Sequence, residues 1–589
     1  MTENRPQRLR RARPVLALAA VAFAIGAVVG AQAGPSPSDA LAERFVHAWT
    51  RGDYTTMYAA LDPASRRSTS AGEFAAAYEE DLTTATAGST RVVGRARGEA
   101  EGRVVVPVHV ETRLFGPLSL DFTLKIGEAG GEGPRVSWSR SQAFPGLLPG
   151  EQLSRHTALP ERASLLARDG SVLAEGPPGD AVAPPSGETT RSSPLGEAMS
   201  SVTGTVGAIP PSRRQALAAQ GVPGDALVGL SGLERALDER LRGSPGGELL
   251  AGSRVLAVAA PRQAAATRTS ISPTLQRAAV AALGGQYGGV VALQPATGQI
   301  LAVAGIGLDG LQPPGSTFKM VTVTGVLAAG VATPSTVFPY ATYALLDGVK
   351  LSNANGEECG GTLETAFAVS CNSVFTPLGV KLGAARLVAA AEAYGFNHET
   401  GLPGAAESTL PVASQIQGEL DIGSTAIGQG QVLATPLQMA MVASTIGDGG
   451  RRPQPTFLAD AHPTFVARAS SSGVARTVRR LMIGVVRSGT GTAAAIPGVV
   501  VAGKTGTAEL KTPCTPSASA ESASSEASAK ECQGSESEAS NTDAWFAAFA
   551  PALHPRIAVC VMLVKDGAGG ATAAPVARQV LEAGLQAGL

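Results

Sequence analysis

The strand-like sequence in the C-terminal half stands at its two ends, and that separation constrains the fold more than any other feature. Gly288 to Gln294 reads as a strand, Ala296-Thr297-Gly298 as a turn and Ile300 to Ala304 as the return strand. A long helical region follows, from Ser316 to about Leu437. Apolar runs then resume at Val499-Val500-Val501, Ala544 to Ala550 and Ile557 to Val564, ahead of a final helix from Ala573 to Leu585. Two strands, many helices, three strands and a helix predict one antiparallel sheet closed between distant parts of the chain, with helices packed on it.

At 589 residues the chain is too long for one ordinary domain. Leu41, Phe45, Ala48 and Trp49 recur at helical spacing, and further helical segments follow around Tyr54 to Leu61 and Phe74 to Leu82. Alternating runs come next: Arg103 to Thr112, Leu118 to Ile126 and Arg135 to Ser139, with Gly-rich turns between them. Helices before a curled antiparallel sheet predict a small α+β domain. Pro160 to Gly176 reads as a strand pair around Arg168-Asp169-Gly170, and residues 177–197 as a flexible Pro/Gly/Ser-rich loop. Gly229-Leu230-Ser231-Gly232-Leu233-Glu234 opens a helix through Leu241, ended by Gly243. This middle region reads as an elongated scaffold.

Arg5, Arg8, Arg10, Arg11 and Arg13 precede an uncharged apolar run from Val15 to Ala31. A basic flank ahead of such a run inserts with its basic side in the cytoplasm. The preferred reading is a retained single-pass anchor. A signal peptide cleaved after Ala31-Gln32-Ala33 is the alternative. Both export everything after residue 34. Export permits disulfides, and there are five Cys: 359, 371, 514, 532 and 560. Cys514 and Cys532 bracket a Ser/Ala/Glu-rich stretch that they can staple. Cys560, in an apolar strand-like run, reads as a buried free thiol, and Cys371 as a packing residue. The six His are scattered, so no metal site is expected, and a formal net charge of −1 gives nucleic-acid binding no support.

Three short motifs occur once each. They are Ser316-Thr317-Phe318-Lys319, Ser370-Cys371-Asn372 and Lys504-Thr505-Gly506, separated by 54 and then 134 residues. Ser316 follows Pro313-Pro314-Gly315 and begins an apolar helical run, so its hydroxyl is expected at a helix N-terminus. A serine hydroxyl is a poor nucleophile until a base takes its proton. Lys319, one turn on along the same face, can be that base, whereas an arginine stays protonated. Only eight of the 47 Lys+Arg residues are Lys, and two of the eight stand in these motifs. From a short loop, the Ser370 hydroxyl can pass a proton between lysines and a leaving amine, and the Asn372 amide can bind a peptide group. Lys504 is expected at the end of a Val-rich strand and supplies positive charge, Thr505 a hydroxyl, and Gly506 room for a substrate backbone. Backbone N–H groups of Ser316 and Thr507 suit an oxyanion hole.

Over residues 160–589 the chain resembles class B penicillin-binding proteins. Pro314-Gly315-Ser316-Thr317-Phe318-Lys319, Gly428-Gln429-Gly430 with Thr435-Pro436-Leu437-Gln438-Met439-Ala440, and Gly503-Lys504-Thr505-Gly506-Thr507-Ala508 carry the resemblance. Ala48-Trp49-Thr50-Arg51-Gly52-Asp53-Tyr54, with the helix–sheet order around it, resembles the nuclear-transport-factor-2-like N-terminal domain of some of them. The resemblance implies a multidomain α+β chain. Its parts are a cytoplasmic tail (1–14), a membrane anchor (15–33), the nuclear-transport-factor-2-like domain (36–152), a dimerisation or pedestal domain (155–265) and a serine transpeptidase domain (268–589). The last is β-lactamase-like, with a five-stranded antiparallel sheet flanked by helices. It further implies a DD-transpeptidase that forms a Ser316 acyl-enzyme from D-Ala-D-Ala stem peptides of peptidoglycan and transfers it to a neighbouring strand. Catalytic roles fall on Ser316, Lys319, Ser370, Asn372 and Lys504, and substrate binding on Thr505, Gly506 and Thr507. β-Lactams are implied as acylating inhibitors, a membrane glycosyltransferase as partner, and no cofactor. The segment from Glu509 to Asn541 departs from the family as a long insertion.

A DD-carboxypeptidase or a β-lactamase uses the same acyl-enzyme but gives it to water, and a β-lactam sensor or scaffold would not turn over. The N-terminal units favour an anchored synthase over a small secreted hydrolase. Only fourteen residues precede the apolar run, which leaves a sensor no cytoplasmic signalling domain.

Overall fold

A computed structural model describes residues 36–128, 133–176, 187–509 and 541–589. The expected tail and anchor, part of the 177–197 loop, and most of the insertion with Cys514 and Cys532 lie outside the described residues. Among the described residues no single helix is long and apolar enough to cross a membrane. The chain divides into two compact units: Met1–Pro160 with Ile209–Ala226 and Gly243–Arg262, and Glu161–Ala208 with Leu227–Arg242 and Gln263–Leu589.

The first unit is α+β. Its helices Pro37–Trp49 and Ala71–Thr84 each start from a capping box, Ser36 with Asp39 and Ser70 with Glu73, which satisfies backbone donors a helix end would otherwise leave unpaired. The expected second helix, Tyr54–Ala59, is followed by a further one at Pro63–Ser68. Strands Ala87–Val92, Arg103–Thr112, Gly116–Glu128 and Pro134–Val136 pair antiparallel in that order. Val104, Val106, Val108 and Val110 alternate inward and meet Phe45, Trp49 and Phe122 in one core. The Trp49 and Phe122 rings meet edge to face at 5.0 Å.

In the second unit the sheet is assembled as the segment order predicts. Strands β1 (Gly288–Leu293), β2 (Ile300–Gly305), β3 (Ala502–Glu509), β4 (Thr542–Ala550) and β5 (Ile557–Leu563) lie in the order β2-β1-β5-β4-β3, every pair antiparallel. Helices α1 (Pro273–Leu283) and α9 (Ala573–Gln586) pack on one face, over Ala544, Phe546 and Ala548. The other face carries α2 (Lys319–Ala328), α3 (Leu363–Ala368), α4 (Asn372–Leu382), α5 (Ala384–Tyr394), α6 (Gly418–Ala426), α7 (Pro436–Gly447) and α8 (Ser472–Ser488). All of α7 is buried, as a helix apolar on every side must be.

Four expectations are corrected. Helical sequence is not continuous from Ser316 to Leu437: strands Val337–Ala341, Tyr343–Leu346, Val349–Ser352 and Cys359–Thr362 interrupt it. Their β-branched and aromatic residues are too short-ranged to show a strand period over noise. Val499 to Val501 lead into β3 rather than forming it, and Lys504-Thr505-Gly506 lies inside the strand, not at its end. The helix expected through Leu241 is two short ones, Gly232–Ala236 and Asp238–Arg242. Cys371 is buried in the core, as a packing residue is expected to be, and it is also bonded to Cys359 in a disulfide that the sequence reading did not pair. Cys560 is free and buried, as expected.

Candidate active site

The three motifs arrive from three separate elements. Ser316 sits in a 3-10 turn, Gly315–Phe318, and the α-helix proper begins at Lys319. Gly315 has φ +50°, and a Cβ there would come 2.6 Å from the Thr507 carbonyl oxygen, so the serine loop lies directly against β3. Its N–H donates to the Gly428 carbonyl at 3.0 Å, and Thr317 Oγ1 donates to the Pro314 carbonyl at 2.6 Å.

Ser370 and Asn372 flank the break between α3 and α4. Ser370 adopts φ +62°, a left-handed conformation that a non-glycine residue takes only when its surroundings hold it there. Cys371, bonded to Cys359, stands at the N-cap position of α4 without a side-chain capping bond. Asn353, 4 % exposed, donates from Nδ2 to the Ala341 carbonyl at 2.7 Å and the Glu357 carbonyl at 2.8 Å, and its Oδ1 accepts the Ser373 N–H at 2.8 Å. Disulfide and asparagine together tie the inserted strands to the second motif.

Lys319 and Lys504 are both 0 % exposed. Lys319 Nζ donates to Asn372 Oδ1 at 2.6 Å and to the Ser370 carbonyl at 2.7 Å, and lies 3.4 Å from Ser370 Oγ. Lys504 Nζ donates to Ser370 Oγ at 2.7 Å and to the Thr505 carbonyl at 3.0 Å. The Ser370 hydroxyl therefore stands between two amines. Burial pushes the Lys504 amine down to about 7, because charge is costly away from water. Each ammonium also faces a ring, Lys319 over Phe375 at 5.5 Å and Lys504 over Phe367 at 5.7 Å.

Thr505 Oγ1 pairs with Thr490 Oγ1 at 2.6 Å, and Thr507 Oγ1 accepts the Gly569 N–H at 3.4 Å. Gly506 is needed for a different reason than expected. A Cβ there would come 2.8 Å from the Pro314 carbonyl oxygen and 2.9 Å from Thr317 Cγ2, so its missing side chain admits the serine loop. The Asn372 amide is engaged within the protein on both sides, Oδ1 from Lys319 and Nδ2 to the Ser352 carbonyl at 2.9 Å. Sequence reasoning missed Asn353, Ser373, Thr490 and the Cys359 pairing. No spacing signals a residue that matters by where a distant loop packs.

A helix-flanked antiparallel sheet with serine and lysine side chains gathered beside its edge strand defines a serine acyltransferase of the penicillin-recognising kind. The family profile described as the penicillin-binding protein transpeptidase domain matches residues 288–582. Profiles of the penicillin-binding protein dimerisation domain and the NTF2-like N-terminal transpeptidase domain match residues 185–254 and 37–151. The chain belongs to the penicillin-binding protein transpeptidase family. Peptidoglycan D,D-transpeptidase PbpA of Mycobacterium tuberculosis is 32% identical over 388 residues, 54% of this chain and 72% of that protein. Peptidoglycan D,D-transpeptidase MrdA of Acinetobacter baumannii is 28% identical over 457 residues, 67% of this chain and 66% of that protein. The solved structure of penicillin-binding protein A from M. tuberculosis as its ceftriaxone acyl-enzyme covers 72% of this chain and 98% of its own, with a TM-score of 0.55 and 28% identity.

Proposed function

We propose that this protein is a peptidoglycan DD-transpeptidase that works through an acyl-enzyme on Ser316 and is acylated at the same atom by β-lactams. The observation that carries the reading is the Ser370 hydroxyl held between two fully buried lysines, 3.4 Å from Lys319 Nζ and 2.7 Å from Lys504 Nζ. Lys319 takes the Ser316 proton as Oγ attacks the carbonyl carbon of the penultimate D-Ala. Backbone N–H groups of Ser316 and Thr507 receive the oxyanion, a contribution of roughly 3–4 kcal/mol per donor in comparable sites. As the C–N bond breaks, the proton passes through Ser370 to the leaving D-Ala amine. An acceptor amine then attacks the ester, its proton passing through Ser370 to Lys319, and Lys319 gives that proton to Ser316 Oγ as the ester bond breaks.

β3 is the edge strand of the sheet, and its outer backbone groups can pair with an extended peptide. Thr505, Thr507 and the charge of Lys504 receive the donor's terminal carboxylate, and Asn372 orients Lys319. The three profile matches support the division into an N-terminal domain (36–152), a pedestal (155–265) and a transpeptidase domain (268–589). The Arg-flanked apolar segment supports a membrane anchor with the catalytic domain outside, and the need for glycan strands supports a glycosyltransferase partner.

Fluorescent penicillin on the purified protein, followed over hours beside Ser316→Ala, tests the reading. Lasting label that the variant lacks is expected, together with amide product from a D-Ala-D-Ala peptide and an acceptor amine. Rapid loss of label points to the hydrolytic alternatives, and no label on folded wild-type protein points to a scaffold.

A further inference from the structure

Away from Ser316, the second unit contains a cavity of about 180 Å³ between the C-terminal end of α5, helix α7 and the strands Arg451–Pro453 and Phe465–Arg468. Its polar wall holds Arg452, Gln438 and Glu399, and its apolar wall Leu437, Met441 and Val466. Arg452 is half-buried, makes no ion pair among the described residues, and has its Nε buried without a partner. The guanidinium lies over Gly395, φ +110°, where a Cβ would collide with Nη1 and stand 3.4 Å from Gln438 Oε1. Gln438 is itself fixed, Nε2 donating to the Tyr394 carbonyl at 2.8 Å. Glu399 is exposed and lines the same cavity.

A half-buried guanidinium with an unpartnered Nε and no counter-ion among the described residues is matched by a planar anion that accepts two parallel N–H bonds. The carboxylate of Glu399 offers the opposite charge for an ammonium, and Leu437, Met441 and Val466 supply hydrocarbon in a lining that also holds Thr400 and Gln454. We propose that this cavity binds a free α-amino acid with an apolar side chain, its carboxylate on Arg452, its ammonium toward Glu399 and its side chain against Leu437, Met441 and Val466. The site lies close to the catalytic helix. Tyr394, which also lines the cavity, has its hydroxyl 3.0 Å from Thr324 Oγ1 on α2, the helix that begins with Lys319.

Calorimetric titration of the full-length protein with D-leucine, L-leucine, 4-methylpentanoate and leucinamide tests the proposal, before and after acylation by benzylpenicillin. Saturable binding of one leucine enantiomer is expected, unchanged by acylation. Leucinamide, without the carboxylate, and 4-methylpentanoate, without the amine, should each bind at least about tenfold more weakly. Arg452→Met should abolish binding, and Glu399→Gln should weaken it. Equal binding of leucine and 4-methylpentanoate overturns the assignment, as does no leucine heat, loss of binding on acylation, or full binding by Arg452→Met. If Arg452→Met does not fold, the analogue series on wild type and the exposed Glu399→Gln substitution decide the question.

Discussion

At Ser370 the left-handed backbone costs a residue with a Cβ roughly 1–2 kcal/mol, and it places the hydroxyl within reach of both lysine amines. Ser370→Gly is therefore expected to melt above Ser370→Ala, while both acylate with penicillin roughly 10²–10⁴-fold more slowly. An Ala variant with wild-type acylation would remove Ser370 from the proton path. Lys504 gives a pH prediction. Burial lowers its amine from the ordinary 10.5 to about 7. Between those values the unfolded chain binds a proton the folded chain does not, so stability rises with pH through that window. Below about 7 both states are protonated and the full cost of the buried charge is present. Lys504→Met is thus expected to be the more stable protein below pH 7 by up to roughly 4–5 kcal/mol, at 1.36 kcal/mol per pH unit, and to lose that advantage by pH 10.5. Denaturant melts across the range check it; a constant difference would mean the amine is not buried as described.

Between elements, the contact of β3 with the serine loop depends on two glycines, Gly315 and Gly506. Gly506→Ala removes no polar group, yet its Cβ must push β3 away from Pro314 and Thr317. Acylation should slow markedly with a modest loss of stability, and an unaffected acylation rate would show that the loop tolerates the shift. The Cys359–Cys371 bond closes a short loop around the second motif, with a sequence separation of 12. Cys359→Ser is expected to cost about 2–4 kcal/mol and to slow acylation, because α4 loses its tie to the inserted strands. Melting with and without reductant, beside the variant, measures both effects.

Across the molecule, the two compact units carry separate cores. In the second, Glu234 is 1 % exposed and bonds Arg191 and Arg162, each at 2.7 Å, while Asp238 bonds Arg162 and Arg242, each at 2.9 Å. Removing one member leaves buried charge uncompensated, a loss of about 3–5 kcal/mol. Glu234→Ala should therefore lower the calorimetric transition of the unit that penicillin acylates. A shift in every transition would instead show that the units unfold together.

The sheet, the order of its segments and the three motifs were legible in the sequence, because a strand's apolar run and a motif's spacing are local properties. The Ser316–Lys319 spacing and the free, buried Cys560 were legible on the same ground. The disulfide of Cys371, the left-handed turn at Ser370, the placement of Lys504 within β3 and the reason for Gly506 were not. Each depends on which distant segment packs against it: Cys359 against Cys371, Lys319 and Lys504 around one hydroxyl, Pro314 over Gly506. Sequence alone determined which chemical groups the protein carries and on what kind of scaffold. Only the tertiary structure decided which of them share a site, because burial and close approach belong to pairs of segments far apart in the chain.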